Sequence, residues 1–390
     1  MGFTLALGNQ ALLPILPLYV MSLGASSLEL GLVMAMLSLV GVVFRIPFCH
    51  RIDKIGAWQI IRIAVALLAF SLTLYSLATS VIWLLAVTIL YAFCFMLIDP
   101  AIYSISLNCA EPTGHGTRFG KVFAAIGAGM MCGPILSGMI SQILGLRNAI
   151  FAVAVIFGIA FVILTLSNPR GPMHERHRYH STNATRSFLE TIGSMRSMKT
   201  AWPCILWAVF AFGTGIFITL FPVYASERLF LSTSMIGFLF AIRGMANTLT
   251  RIFAGRATDR LGAEKMANLG LILPAAAFAT IVLLSDFYGL FIAMLLYGIG
   301  WGILIVALAT QLSDNILAEE ATVASAIFYT FGDAGLVAGS LASGFLATFP
   351  AEAIFGLPAA LLVATTISGT FRYKERSRYR SGCASTSFRC

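Results

Sequence analysis

Charge is what this sequence has least of. Only 11% of its 390 residues are Asp, Glu, Lys or Arg, against about 25% in soluble domains. The 59% that are hydrophobic would have nowhere to go in a water-soluble fold of this length. No Walker phosphate loop, Ser-His-Asp set or paired zinc motif occurs, so the chain reads as no enzyme, and any energy it uses comes from a gradient rather than from ATP. Cofactors are expected to be none. The seven cysteines, Cys49, Cys94, Cys109, Cys132, Cys204, Cys383 and Cys390, show no metal-ligand spacing and read as reduced thiols without a disulfide framework. Apolar sequence starts at Phe3 with no basic region or small-residue cleavage site, so the start reads as a first membrane span rather than a signal peptide. Ala6 stands where a myristoylation signal needs Ser or Thr, and the carboxyl end lacks a prenylation pattern. Segments of ~10 alternating residues are missing too, which excludes a transmembrane barrel.

What the chain has instead is long apolar runs. Twelve can be drawn, over 3–22, 28–48, 59–79, 81–106, 120–143 and 148–167, then 202–224, 233–253, 266–285, 287–313, 322–347 and 352–371. Each has about the 20 residues that a helix needs to cross a bilayer, and backbone groups in hydrocarbon must be paired within the helix. The expected fold is an all-α membrane protein of 12 transmembrane helices in two six-helix pseudo-symmetric halves, 1–167 and 202–371. A cytoplasmic linker spans 168–201 and a basic cytoplasmic tail 372–390.

Of the 25 Lys and Arg residues, all but Arg147, Arg228 and Arg243 fall in or beside the connections 49–58, 107–119, 168–201 and 254–265 and the tail. The positive-inside rule therefore puts those connections and both termini in the cytoplasm of a cell (plasma) membrane protein. The net charge of +9 reads as topology, not as nucleic-acid binding. The linker's His174, Arg176, His177, Arg178 and His180 read as a solvated basic stretch facing anionic lipid. Asn183-Ala-Thr185 matches a glycosylation acceptor but sits on the cytoplasmic side.

The halves are related in sequence. Residues 45–57 echo 251–263 at an offset of 206: Arg45, Ile46, Asp53, Gly56 and Ala57 recur as Arg251, Ile252, Asp259, Gly262 and Ala263, with Lys54 opposite Arg260. At the same offset, Gly129-x-x-x-Gly133-Pro134-x-x-Ser137-Gly138 recurs as Gly335-x-x-x-Gly339-Ser340-x-x-Ser343-Gly344. Two copies at one period indicate a duplicated unit. Small residues four apart let two helix backbones approach closely, and Pro134 disturbs its helix locally.

The spacing Gly255-x-x-x-Asp259-Arg260-x-Gly262-x-x-Lys265 resembles the signature cytoplasmic loop of the major facilitator superfamily, found between its helices 2 and 3 and again between 8 and 9. In the first copy Cys49 replaces the leading Gly. The Gly129–Gly138 pattern is similar to a fifth-helix motif of proton-linked drug antiporters in that superfamily, with Ser137 in place of a Gly. Gly8 followed by Pro14-Ile-Leu-Pro17-Leu-Tyr19 resembles the start of its 12-helix drug exporters, and Phe221-Pro222-Val-Tyr224 repeats part of it. One feature departs: the fourth segment lacks the mid-helix Arg usual in such antiporters. The resemblance implies two bundles rocking about a central substrate site, and a gating loop in which Asp53 faces the start of helix 11. A negative charge at a helix N-terminus is favoured by about 0.3–1 kcal/mol, which biases one state without locking it. Glu319 and Glu320 would oppose that contact unless Lys54 or Arg51 compensates.

Three charges inside predicted spans stand out: Asp99, Arg243 and Asp333. Each costs about 2.5–3.5 kcal/mol on insertion scales, so each needs a partner, water or a function. They are the candidates for coupling and substrate contact, with Arg243 as counter-charge to a substrate anion or to an aspartate. Asn9, Gln10 and Asn247 add polar contacts. Phe93, Phe95, Met96, Tyr297 and Trp301 suit a cavity for apolar or cationic molecules. The expected function is secondary active transport of a small-molecule substrate, with proton-coupled efflux of drugs or metabolites foremost. Import or uniport of a small organic solute or anion is the alternative within transporters, and a non-transporting membrane sensor the alternative outside them. Monomer is the default assembly for this fold. Asp53→Asn is expected to impair transport while membrane expression is unchanged, which vesicle flux assays alongside expression blots would check.

Overall fold

The computed structural model of the protein describes the backbone of residues 2–55, 57–108, 115–166, 198–316 and 321–386, and the side chains of 2–45, 58–98, 124–166, 200–316 and 324–370. Twelve long α-helices lie among these residues. The first six are α1 (Gly2–Ser22), α2 (Ser27–Ile55), α3 (Ala57–Ser76), α4 (Val81–Asn108), α5 (His115–Leu144) and α6 (Leu146–Leu166). The second six are α7 (Met198–Glu227), α8 (Thr233–Leu261), α9 (Ala263–Leu283), α10 (Phe287–Ser313), α11 (Ala321–Leu346) and α12 (Ala351–Thr386).

Several helices outrun their predicted spans. The 254–265 connection, expected as a loop, is mostly helix: α8 continues to Leu261, a single residue turns the chain at Gly262 (φ 91°), and α9 begins at Ala263. α12 likewise runs on to Thr386, through most of what was expected as a tail. Hydropathy locates where a helix leaves hydrocarbon, but backbone hydrogen bonding has no reason to stop there. The tight turn needs a positive φ, which glycine adopts without steric cost. Gly56 and most of the 168–201 link lie outside the described residues.

Ten of the twelve helices are long and apolar enough to cross a membrane by length and composition. The other two, α8 and α11, are the ones that carry Arg243 and Asp333. Both are central. α11 packs against α7 and α2, and α8 against α10 and α5. The least apolar helices therefore face protein on most sides rather than lipid, as intramembrane charge requires.

Packing within the two halves repeats helix for helix. α1 on α5, α3 on α4, α3 on α6 and α2 on α4 recur as α7 on α11, α9 on α10, α9 on α12 and α8 on α10. Between the halves, the α2–α11 seam is matched by α8–α5, so exchanging the halves maps one seam onto the other. The repeated glycine motif builds both kinds of contact. Gly129 and Gly133 lie on the α1 backbone at Phe3 and Leu7, while Gly335 and Gly339 lie on the α7 backbone at Ala208 and Phe212. One turn further on, Gly138 meets Gly237 of α8, and Gly344 meets the start of α2 near Gly31. Gly31 and Gly237 are themselves 206 residues apart. Lipid tails are as apolar as leucine, so such close approach replaces the hydrophobic effect as the force joining the helices.

Among the described residues α4 packs on α2 and α3 but has no comparable seam with α10 or α11, whereas α1 packs on both α7 and α8. At the end away from the basic connections, Arg147 donates from Nε to the Ser76 carbonyl at the close of α3. A cation there also complements the helix dipole.

Gly237→Val forces a side chain into the Pro134 carbonyl of α5 and is expected to lower stability by about 1–3 kcal/mol, the usual cost of overpacking. Gly255→Ala, where nothing lies within 4 Å of the added Cβ, should leave it unchanged. Thermal unfolding of the two variants in detergent would check both.

Candidate functional site

A cavity of about 250 Å³ opens between the halves, lined from α1, α2, α4, α7 and α11. Its wall is mostly apolar, with Leu12, Leu13, Leu16, Met34, Phe95 and Met96, and its polar groups are Asn9, Ser38, Arg45, Tyr91, Tyr329 and Asp333. The volume is at the small end for ligand pockets, which run to about 300–1,000 Å³.

Asp333 stands in the middle of α11, ~18 Å of helix rise from Ala321. Its carboxylate accepts from Arg45 of α2 twice at one oxygen, with Nη2 at 2.6 Å and Nε at 3.0 Å from Oδ2. Gly41, one turn before Arg45, makes this possible, since a Cβ there would run into Oδ2 of Asp333. Each side chain of the pair is only 14% exposed, and the Arg45 guanidinium carbon sits 5.9 Å from the centre of the Tyr329 ring. A bond of strong electrostatic character across the α2–α11 seam thus lies in the cavity wall.

The seam related by the repeat lacks it. Arg45 corresponds to Arg251, but Asp333 corresponds to Gly127, which faces Thr248. Arg251 keeps a buried Nε with no hydrogen-bond partner.

Arg243 does not meet Asp333. It is fully buried and donates from Nη2 to Oε1 of Gln10 on α1 at 3.0 Å. Its guanidinium lies 4.8 Å from the Phe240 ring centre, 5.4 Å from Trp301 and 5.8 Å from Phe217. Asn247, one turn along α8, is fully buried with neither amide atom partnered. Arg243, Asn247 and Gln10 are therefore brought together, but behind α1 and away from the cavity, whose lining from α1 includes the adjacent Asn9.

The expected aromatic cavity divides the same way. Phe95 and Met96 line it, and Phe93 sits against Phe44 with ring centres 6.0 Å apart. Tyr297 and Trp301 belong instead to the buried cluster, Tyr297 bonded to Thr214 at 2.6 Å and stacked on Phe217. Tyr91 was not foreseen as a site residue. It stacks on Phe95, and its buried hydroxyl has no partner. Arg45 was seen only as part of the repeat, although it lies within the predicted span 28–48, where a basic residue is itself the signal.

Of the gating residues, Asp259 and Arg260 are exposed at the end of α8, beside Gly262. The side chains of Asp53, Lys54 and Asp99 lie outside the described residues.

Comparison with known proteins bears on what such a cavity serves. The family model described as Major Facilitator Superfamily matches residues 1–340 and 232–386. The chain is 22% identical to the quinolone resistance protein NorA of Staphylococcus aureus (strain COL), over 88% of this chain and 87% of the relative. It is also 22% identical to multidrug resistance protein 2 of Bacillus subtilis (strain 168), over 88% of this chain and 86% of that one. Among solved structures, that of the nucleoside transporter NupG superposes with a TM-score of 0.81 over 96% of this chain and 97% of that one, at 15% identity.

The Arg45–Asp333 pair is expected to show a coupling energy of about 1–3 kcal/mol in a double-mutant cycle of unfolding stability with Arg45→Met and Asp333→Leu. Each single change should cost more than the two together predict, because it strands one charge in a site that is largely dry.

Proposed function

The chain belongs to the major facilitator superfamily, and from that premise we propose that it is a proton-coupled exporter of small organic compounds in which Asp333 carries the proton. It is a multi-pass membrane transporter of small molecules and not an enzyme. The proposal concerns its direction, its coupling ion and its residues. The observation that carries it is the Arg45–Asp333 ion pair, which joins α2 to α11 across the halves and lies in the wall of the central cavity.

A proton on Asp333 removes the negative charge that holds Arg45. The seam then keeps its glycine packing without this ion pair, and the halves rock more easily about it. Loss of the proton restores the pair and favours the joined state. A coupling of about 1–3 kcal/mol between two sites shifts an equilibrium about 5- to 150-fold, enough to link protonation to access without freezing either state. A cationic or polar substrate entering beside Ser38, Tyr91 and Phe95 competes with Arg45 for the same carboxylate. Export is favoured by the resemblance of the Gly129–Gly138 motif and by the names of the two bacterial relatives, both resistance proteins.

The mid-helix Arg missing from α4 leaves the proton to another group, and Arg45 supplies a cation from α2 instead. Residues at the two repeated helix junctions, among them Asp53, Lys54, Gly56, Gly255, Asp259, Arg260 and Gly262, are assigned the gate on the basic side. That side is taken as cytoplasmic, in a plasma membrane, with the protein monomeric and without nucleic-acid partners. Asp99 is kept as a second cavity carboxylate. Uptake or uniport of an organic anion is the alternative reading, and the buried Arg243, which has no carboxylate partner among the described residues, favours it.

In proteoliposomes with an imposed pH gradient and an internal pH dye, a lipophilic cation is expected to trigger proton movement through the wild type. Asp333→Asn should abolish that movement. Unchanged proton movement in Asp333→Asn would remove the coupling role.

A further inference from the structure

The second half holds a cluster of buried donors that the cavity does not use. Arg243 Nε, Asn247 Nδ2 and Trp301 Nε1 are all buried N–H groups without a hydrogen-bond acceptor. Arg243 and Asn247 are 0% exposed and one helical turn apart, so they share a face of α8. The Trp301 ring on α10 lies 5.4 Å from the Arg243 guanidinium carbon. The charge is as poorly matched as the donors. Among the described residues no carboxylate forms an ion pair with Arg243, and its one hydrogen bond there is to the neutral Gln10.

An unpaired charge and unfilled donors at full burial are among the costliest arrangements in a protein. The surrounding rings offset part of the charge through their faces, but they offer no acceptor to the Nε hydrogen. A water molecule would satisfy donors and leave the charge. One compact anion satisfies both.

We infer that Arg243, Asn247 and Trp301 form a site for a monovalent anionic group, a halide ion or a carboxylate. One guanidinium balances one negative charge, and full burial favours a small, singly charged group over a phosphate. The unpartnered Oδ1 of Asn247 does not oppose this, because the amide presents Nδ2 to the anion and turns Oδ1 away. The site is separate from the central cavity but linked to it through α1, where Asn9 lines the cavity and Gln10 holds Arg243. A free halide would act as a fixed counter-ion that sets the position of α1. A carboxylate would be part of a transported molecule, and that form of the inference rests on the transporter reading.

The test is a binding titration on the purified full chain in detergent. The unfolding midpoint is followed against chloride in one arm and benzoate in the other, each replacing sulfate at constant ionic strength. The wild type is expected to gain stability saturably. Asn247→Leu should weaken the apparent affinity about tenfold or more, the loss of a hydrogen bond to a charged group, and Arg243→Gln should abolish the response. A response to chloride alone identifies a free inorganic anion. A response to benzoate, with or without chloride, identifies a carboxylate. No saturable shift in either arm, or a wild-type response in Asn247→Leu, overturns the site, even where Arg243→Gln does not fold. The readout needs no transport, so failure here and failure of proton-coupled flux are separate results.

Discussion

A charge in hydrocarbon must be given a partner, and that requirement organises the bundle. Arg243 and Asp333 each sit near the middle of a helix less apolar than the ten that meet the length and composition of a membrane span. Both helices are consequently central, and both form seams between the halves. The two charges meet the requirement differently. Asp333 takes Arg45 from the opposite half at 2.6 Å. Arg243 takes one amide oxygen and three aromatic rings. The first arrangement is an electrical contact between the two halves, and the second leaves a positive charge in store.

The duplicated chain gives the fold a symmetry that the charges then break. The glycine contacts of α5 with α1 and α8 recur as those of α11 with α7 and α2, down to the pairing of Gly138 with Gly237 and of Gly344 with the start of α2. Matched seams suit rocking, because neither state of the bundle is then favoured by packing alone. A coupling ion needs the opposite, a group present on one seam only. Asp333 faces Gly41 and Arg45, whereas its repeat counterpart Gly127 faces Thr248. The exchange of Gly127 for Asp333 beside the repeated glycine motif thus separates a packing element from a candidate proton carrier.

Much of this architecture was legible in the sequence. Twelve apolar runs, the offset of 206 and the paired glycine motifs follow from composition and period, which report local demands on a helix in lipid. The ends of the helices were less legible. The charged stretch at 254–261 reads as a loop by hydropathy, but it is the last turns of α8. The aromatic residues could not be divided from sequence for a similar reason. Tyr297 and Trp301 look like cavity residues in an apolar segment, and only packing assigns them to the cluster behind α1.

By itself, then, the sequence determined that the chain crosses a membrane many times and that it is built from two related halves. These are properties of single segments, set by the transfer cost of each residue and by backbone hydrogen bonding within each helix. Which charge meets which was decided only by the tertiary structure. Arg45 and Asp333 are separated by 288 residues, and Gln10 and Arg243 by 233. No local pattern encodes such a pairing, because it depends on helix rotation and on the glycine contacts that bring α2 to α11 and α1 to α8.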